Sequence, residues 1–218
     1  SIVQDGAEVA IGAGVETITM MQDGTPNTNR LANATAAERF PGLYHPMGIT
    51  AETVAERYGI SREDQDAYAL QSQQRYAAAV EKGWIAEEIA PMKVTRKVQP
   101  KDGDAFEEDV VLDKDECNRA QTTLEGLQKL QPVFKKAEDG GTVTAGNASG
   151  ITDGAAALLI MTAEKADELG LTPMAYLGER AEAGVDPTVM GIGPVPAIRA
   201  LETVSGRKVQ DYDLIELN

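Results

Sequence analysis

The sequence holds one cysteine, one histidine and 20 basic residues against 35 acidic ones. Each shortage removes a class of function. A single cysteine, Cys117, cannot form an internal disulfide, which fits a reducing compartment. Cys117 also follows Asp115 and Glu116. Acidic neighbours oppose a thiolate, whereas a nucleophilic cysteine sits beside a basic group or a helix N-terminus. Cys117 is therefore not read as a nucleophile. Any Ser-His or Cys-His unit would have to be built on His45, and its neighbours suggest none. The formal net charge of −15 leaves no basic footprint for a nucleic acid, so no nucleic-acid partner is expected. A small anionic ligand stays open wherever a few Arg or Lys residues cluster. The plain reading of the acidity is solubility. No run approaches the roughly 18 apolar residues of a membrane span. No basic, Ser-rich or signal-type leader is legible in the first residues. No cluster of metal ligands stands out, and no metal is expected.

What is present is ordinary globular material: 218 residues, 42% hydrophobic, enough for one large domain or two small ones. SIVQDG reads as the last turns of a helix closing at Gly6, and AEVAIGAGVE as a buried strand. The stretch from Met20 to Tyr44 is polar and loop-like, broken by Pro26, Asn27, Asn29 and Pro41. Two helices follow. Thr50 is the expected cap of the first, which ends at Gly59. Ser61 caps the second, with Asp64 at its third position, and Gly83 stops it. Ala67, Leu70, Tyr76 and Ala77 to Val80 give that helix an apolar face.

IAPMKVTRKVQP and EEDVVLDKDE alternate like strands joined by a KDGD turn. TTLEGLQKLQPVF reads as a short helix ended by Pro132, then a short strand and the turn-rich GTVTAGNASGITDG. AAALLIM is an apolar strand, and TAEKADELGL a helix capped by Thr162 and stopped at Gly170. MAYLGERAEAG reads as a strand running into a loop, VPAIRALETVSG as an amphipathic helix and DYDLIELN as a last strand. Strand, helix, strand, helix, strand is the pattern of an α/β layered core.

TAGNASG lets a ligand or a second backbone approach closely, because no bulky side chain stands in the way. By spacing alone it reads as a tight turn between layers. The combination of blocks says more. TVTAGNASGITDGAAALL, GVDPTVMGIGPVPAIRALE and DYDLIELN, with MGITAETVAERYGISREDQDAYALQSQQR upstream, resemble the thiolase family along essentially the whole chain, in order. Thiolases are acyl-CoA acyltransferases that form or cleave a carbon–carbon bond next to a thioester.

The resemblance implies a site. Asn218 matches the first residue of the family's Asn-Glu-Ala-Phe motif, whose Asn holds a catalytic water. A neutral amide can fix that water beside a developing oxyanion without adding charge. Ser149 matches a serine that hydrogen-bonds the pantetheine arm of coenzyme A, and Ala145 and Gly146 match small residues lining its tunnel. Arg119 matches an arginine lying against the adenine end, where a guanidinium can stack and attract phosphate. Phe134, Met47 and Met190 match apolar residues around the acyl and pantetheine pocket. Taken singly, Arg119 reads as a surface charge and the other three as core packing.

The family's nucleophilic Cys in a Cys-Gly-Ser motif, its His in a Gly-His-Pro motif and its second Cys are absent from these 218 residues. The expectation is therefore a middle piece of a longer subunit, inactive alone, with coenzyme A or acyl-CoA as substrate and no permanently bound cofactor. Residues 1–21 would end an N-terminal thiolase domain. Residues 22–139 would form an inserted mixed α+β loop domain, and residues 140–218 would begin a C-terminal domain. Pro46 stands where short-chain biosynthetic thiolases carry a His, with His45 one residue earlier. A Pro-Met-Gly reading resembles degradative 3-ketoacyl-CoA thiolases of fatty-acid β-oxidation. His45 still reaches the site if the loop is shifted by one residue. The family implies a homodimer or homotetramer. Its members are cytoplasmic in bacteria and archaea, mitochondrial or peroxisomal in eukaryotes. An acetoacetyl-CoA-forming thiolase, a non-catalytic acyl-CoA or lipid-binding relative and a plain interaction domain stay open.

Overall fold

The computed structural model describes residues 2–22 and 27–218. Of the expected breakers, Pro26 lies outside the described residues. The chain divides into two compact units, Ser1–Val54 with Ile151–Asn218, and Ala55–Gly150.

The first unit is threaded in the order helix, strand, helix, helix, helix, then strand and two helices. α1 (Ile2–Asp5) ends at Gly6, whose φ of +71° only a glycine adopts without strain. β1 (Val9–Glu16) is followed by α2 (Ile18–Met21) and by α3 (Ala34–Arg39). Asn33 caps α3, its Oδ1 accepting from the Ala36 N–H at 3.0 Å. α4 (Met47–Tyr58) starts one turn earlier than the sequence suggests. The Pro46 carbonyl accepts from the N–H groups of Ile49 and Thr50, so the proline supplies the first helical acceptor. Thr50 is thus buried inside the helix rather than capping it, with its Oγ1 donating to the Met47 carbonyl at 2.8 Å.

The second unit is built on α5 (Arg62–Glu81). Ser61 and Asp64 form the expected reciprocal capping box, a device worth about 1 kcal/mol. Gly83, at φ +78°, follows the helix end. The face of α5 differs from the expected apolar one: its one fully buried side chain is Asp66, while Ala67 and Val80 are exposed. The inner stripe runs through Arg62, Asp66, Gln73 and Tyr76 at helical spacing, and polar partners on other segments meet it. β2 (Met92–Val98) and β3 (Phe106–Leu112) pair antiparallel, from Met92 opposite Leu112 to Val98 opposite Phe106. α6 (Leu124–Gln128) is capped by Thr123 Oγ1 and is over before Pro132, which pairs instead in an isolated bridge with Thr144.

In the first unit, β4 (Gly154–Met161) pairs antiparallel with β1 over its full length, from Val9 opposite Met161 to Glu16 opposite Gly154. Asp153, just ahead of β4, accepts from the Thr19 N–H at 2.9 Å and joins that end to α2. Thr162 caps α7 (Ala163–Glu168), and Gly170 at φ +65° follows it. After the 3-10 segment Pro187–Ile192 comes α8 (Pro194–Ser205), closed by Gly206 at φ +70°.

Two expected strands do not form: 174–184 and 212–218 have no regular structure. A strand exists only where a second strand takes up its N–H and C=O groups, and no described segment pairs with either stretch. Their apolar side chains stay exposed, among them Leu177 and Leu214.

Candidate functional site

In the second unit, the loop bearing Ala145, Gly146 and Ser149 is tied to α5 by side chains. Thr144 opens a turn whose carbonyl accepts from the Ala148 N–H at 3.1 Å. Its N–H donates to Asn147 Oδ1 at 2.7 Å, and its hydroxyl accepts from the N–H groups of Gly146 and Asn147. Asn147 Nδ2 donates in turn to the Thr142 carbonyl and to Asp66 Oδ1, both at 3.0 Å. The other Asp66 oxygen accepts from Arg62 Nε at 2.8 Å, and Arg62 Nη2 reaches the carbonyls of Leu127 and Leu130. Gln65 Nε2 donates to Thr142 Oγ1 at 3.0 Å. A carboxylate with no solvent exposure is thus held by one guanidinium and one amide, the condition under which a buried charge is tolerated.

The same circuit explains the small residue at Gly146. A Cβ there would stand 2.5 Å from Leu130 Cδ1 and 2.6 Å from Leu127 Cδ2. The loop therefore lies flat on the end of α6, and glycine is what allows the approach. Gly141 is similar, because a Cβ there would overlap the Lys135 carbonyl. Ala145 and Ser149 face outward as exposed residues, and the Ser149 hydroxyl has no partner among the described residues. Phe134 is half-exposed in the bend just after the Pro132–Thr144 bridge.

Arg119 lies in the segment between β3 and α6. Gln73 Oε1, on α5, accepts from the Arg119 N–H and from Asn118 Nδ2, each at 2.8 Å. Thr122 donates through its hydroxyl to the Arg119 carbonyl at 2.7 Å. The backbone of Arg119 is fixed at both ends, while its exposed guanidinium has no ion-pair partner among the described residues. Cys117, two residues earlier, is a free and exposed thiol. Beside it is a cleft of about 450 Å³ with an apolar floor of Val80, Ile85 and Ile89. On its rim Tyr76 donates to Asp115, and that bond holds the Tyr76 hydroxyl up to about 12.

The first unit holds the other predicted residues. Met47 begins α4 and is largely exposed, and Met190 is half-exposed in the 3-10 segment Pro187–Ile192. That segment meets the Phe40–Pro46 loop. Gly42 has φ +87°, and a Cβ on it would run into Thr188 Cγ2 and stand 3.3 Å from His45 Cε1. His45 is exposed and donates its N–H to the Gly42 carbonyl at 3.0 Å. Asp186 shapes the segment by accepting from the Thr188 N–H at 2.8 Å, and Val189 is buried beneath it. Asn218 is exposed at the end of the irregular stretch 212–218. Among the described residues no cluster of three or more His, Cys, Asp or Glu could hold a metal, and no helix is long and apolar enough to cross a membrane.

A family model described as the thiolase N-terminal domain matches residues 1–164. The chain belongs to the thiolase family. An acetyl-CoA acetyltransferase of Chromobacterium violaceum is 44% identical over 230 residues, covering 100% of this chain and 55% of that protein. The peroxisomal 3-ketoacyl-CoA thiolase B of Rattus norvegicus is 44% identical over 211 residues, covering 97% of this chain and 48% of that one. Among solved structures, human mitochondrial 3-ketoacyl-CoA thiolase in complex with CoA superposes with a TM-score of 0.77 at 38% identity. It covers 100% of this chain, which covers 53% of it. The thiolase chain thus spans about half the length of the relatives it matches. Its fold class is the α/β fold of those structures.

Sequence reading of this thiolase found the exposed residues and missed those beneath them. Asp66, Gln73 and Asn147 read as ordinary polar positions. The available signal was the i, i+4, i+11 spacing of Arg62, Asp66 and Gln73, which places three polar residues on one side of a helix. The partners lie 45 to 81 positions away, beyond the reach of any local pattern.

Proposed function

We propose that the full-length protein is an acyl-CoA C-acyltransferase that cleaves 3-ketoacyl-CoA with coenzyme A. The observation that carries this reading is the match along the entire chain to acetyl-CoA acetyltransferases and 3-ketoacyl-CoA thiolases at 44% identity. A solved relative in complex with CoA superposes over 100% of the chain.

In this reaction a cysteine thiolate, supplied from outside these 218 residues, attacks the 3-keto carbonyl. The C2–C3 bond breaks and its electron pair passes to C2 as the enolate of acetyl-CoA, which takes a proton and leaves. The thiol of a second coenzyme A then attacks the acyl-cysteine thioester, releasing shortened acyl-CoA and restoring the cysteine. Within this scheme Asn218 fixes the water that stabilises the enolate oxygen. Arg119 takes the nucleotide end and Ser149 hydrogen-bonds the pantetheine arm, while Ala145 and Gly146 leave room for it. Phe134, Met47 and Met190 supply apolar walls. The free guanidinium of Arg119, on a fixed backbone, supports its role at the nucleotide end.

We assign residues 1–21, 22–139 and 140–218 to the N-terminal, loop and C-terminal parts of that enzyme. The assembly is a homodimer or homotetramer. Pro46 before Met47 and Gly48 favours a degradative enzyme of β-oxidation over an acetoacetyl-CoA-forming one. The compartment is the cytoplasm of a bacterium or archaeon, or the mitochondrion or peroxisome of a eukaryote. The test is thiolysis by the full-length protein of acetoacetyl-CoA and of a longer 3-ketoacyl-CoA, with the acyl-enzyme followed by mass spectrometry. Turnover of both, with the longer substrate preferred, supports this reading. Preference for acetoacetyl-CoA supports the biosynthetic one, and CoA binding without an acyl-enzyme the non-catalytic one.

A further inference from the structure

The two segments of the second unit that face coenzyme A in this reading are both held by α5. Asp66 grips the 142–148 loop through Asn147, whose amide also closes the turn at Thr144. Gln73 grips the Asn118–Arg119 segment, its Oε1 taking two donors. Seven residues separate Asp66 from Gln73, so they share a face of the helix about 10.5 Å apart along its axis. Arg62 locks the near end by bonding Asp66 and the carbonyls that end α6.

We propose that α5 is a positioning helix for coenzyme A: Asp66 through Asn147, and Gln73 through the Arg119 backbone, fix the spacing between the pantetheine contact and the nucleotide contact. This rests on the roles given above to Ser149 and Arg119. Packing alone does not require these residues. A buried carboxylate costs desolvation that an apolar side chain would not, and apolar replacements of buried ion pairs are often neutral or stabilising. What the polar set provides is direction. Asp66 Oδ1 accepts from the Asn147 amide of the loop that leads to Ser149, and Gln73 Oε1 from the Asn118 amide and the Arg119 N–H. A helix holds such a constellation more rigidly than loops do.

The experiment is thiolysis by the full-length protein at saturating acetoacetyl-CoA, with KM measured for two acceptor thiols, coenzyme A and pantetheine. Pantetheine lacks the nucleotide. Gln73→Ala is expected to raise KM for coenzyme A about tenfold, the loss of one or two hydrogen bonds, and to leave KM for pantetheine unchanged. Gln73→Glu keeps the acceptor oxygen and restores the coenzyme A value. Asn147→Asp sets two carboxylates against each other and raises KM for both thiols. The reciprocal exchange Asp66→Asn with Asn147→Asp rebuilds the donor–acceptor pair between the two positions, though not the bond to the Thr142 carbonyl, and lowers both part of the way. A purely structural role would lower the melting temperature without separating the two thiols. Gln73→Ala shifting both thiols alike, or Asn147→Asp shifting neither, overturns the proposal. A wild-type protein that neither turns over nor binds coenzyme A overturns the functional reading beneath it, and the proposal with it. Should the alanine variant not fold, Gln73→Met, which keeps the side-chain length and drops the acceptor oxygen, carries the same comparison.

Discussion

Asn147 Nδ2 donates to Asp66 Oδ1 at 3.0 Å, joining residues 81 positions apart. One amide thereby binds a buried carboxylate, closes a turn on the Thr144 N–H and holds the Thr142 carbonyl. The loop of small residues therefore keeps its shape without bulky side chains of its own.

Removing the carboxylate should be costly for stability. In Asp66→Ala the Arg62 guanidinium and the Asn147 amide each lose an acceptor inside the unit. Breaking one partner of a buried pair costs about 3–5 kcal/mol. Arg62 keeps partial access to water, with 19% of its side chain exposed, so the low end is expected. Denaturant unfolding of the full-length protein measures it, and Asp66→Asn should lose less, because it keeps one acceptor for Arg62.

Gly146→Ala should destabilise by about 1–3 kcal/mol through overpacking. The added methyl would meet Leu130 Cδ1 at 2.5 Å and Leu127 Cδ2 at 2.6 Å. Combining it with Leu130→Ala should give less than the sum of the two single losses, since the shortened side chain vacates the contact. Thermal melts of the two single variants and the double variant decide this.

Tyr76 should titrate late. Its hydrogen bond to Asp115 is the main cause, followed by desolvation and the Asp115 charge, and together they raise it from 10.0 to about 12. The folded chain holds this proton more tightly than the unfolded one. That contribution is complete below pH 10 and is lost as the pH rises from about 10 to about 12. Tyrosinate absorbance should show one late component, and Asp115→Asn should bring it down toward the ordinary range.

The proposed ligand roles make a paired prediction. Arg119→Ala should weaken coenzyme A binding about tenfold, and Ser149→Ala about fivefold, from the loss of a charge-assisted and a neutral hydrogen bond. Calorimetry on the full-length protein should find the two effects additive within about 0.5 kcal/mol, the rule for separate contacts with no shared partner. A double variant with unchanged affinity would remove both residues from the site.

Caps and stops were legible because they are local. Ser61 with Asp64, Thr162, and the glycines at 6, 59, 83 and 170 each depend on a few bonds within one turn. The β1 and β4 strands were legible from their apolar residues, although the burial expected of β1 is not found, with Ile11 and Val15 exposed, and the β2–β3 hairpin was legible from alternation around its turn. The thiolase blocks were legible as residue patterns, which is how Arg119, Ser149, Gly146 and Asn218 could be named at all.

The tertiary structure decided what those patterns rest on. Thr50 moved from cap to helix interior because the Pro46 carbonyl had already begun the helix. The stretches 174–184 and 212–218 carry strand-like composition, yet a ladder needs a partner that composition cannot name. The inner face of α5 is polar because Asn147, Leu127, Leu130 and Arg119 come to meet it from distant positions. Sequence alone determines which groups a residue offers. Only the fold decides which distant group takes them up, since burial makes an unpaired polar atom too expensive to leave.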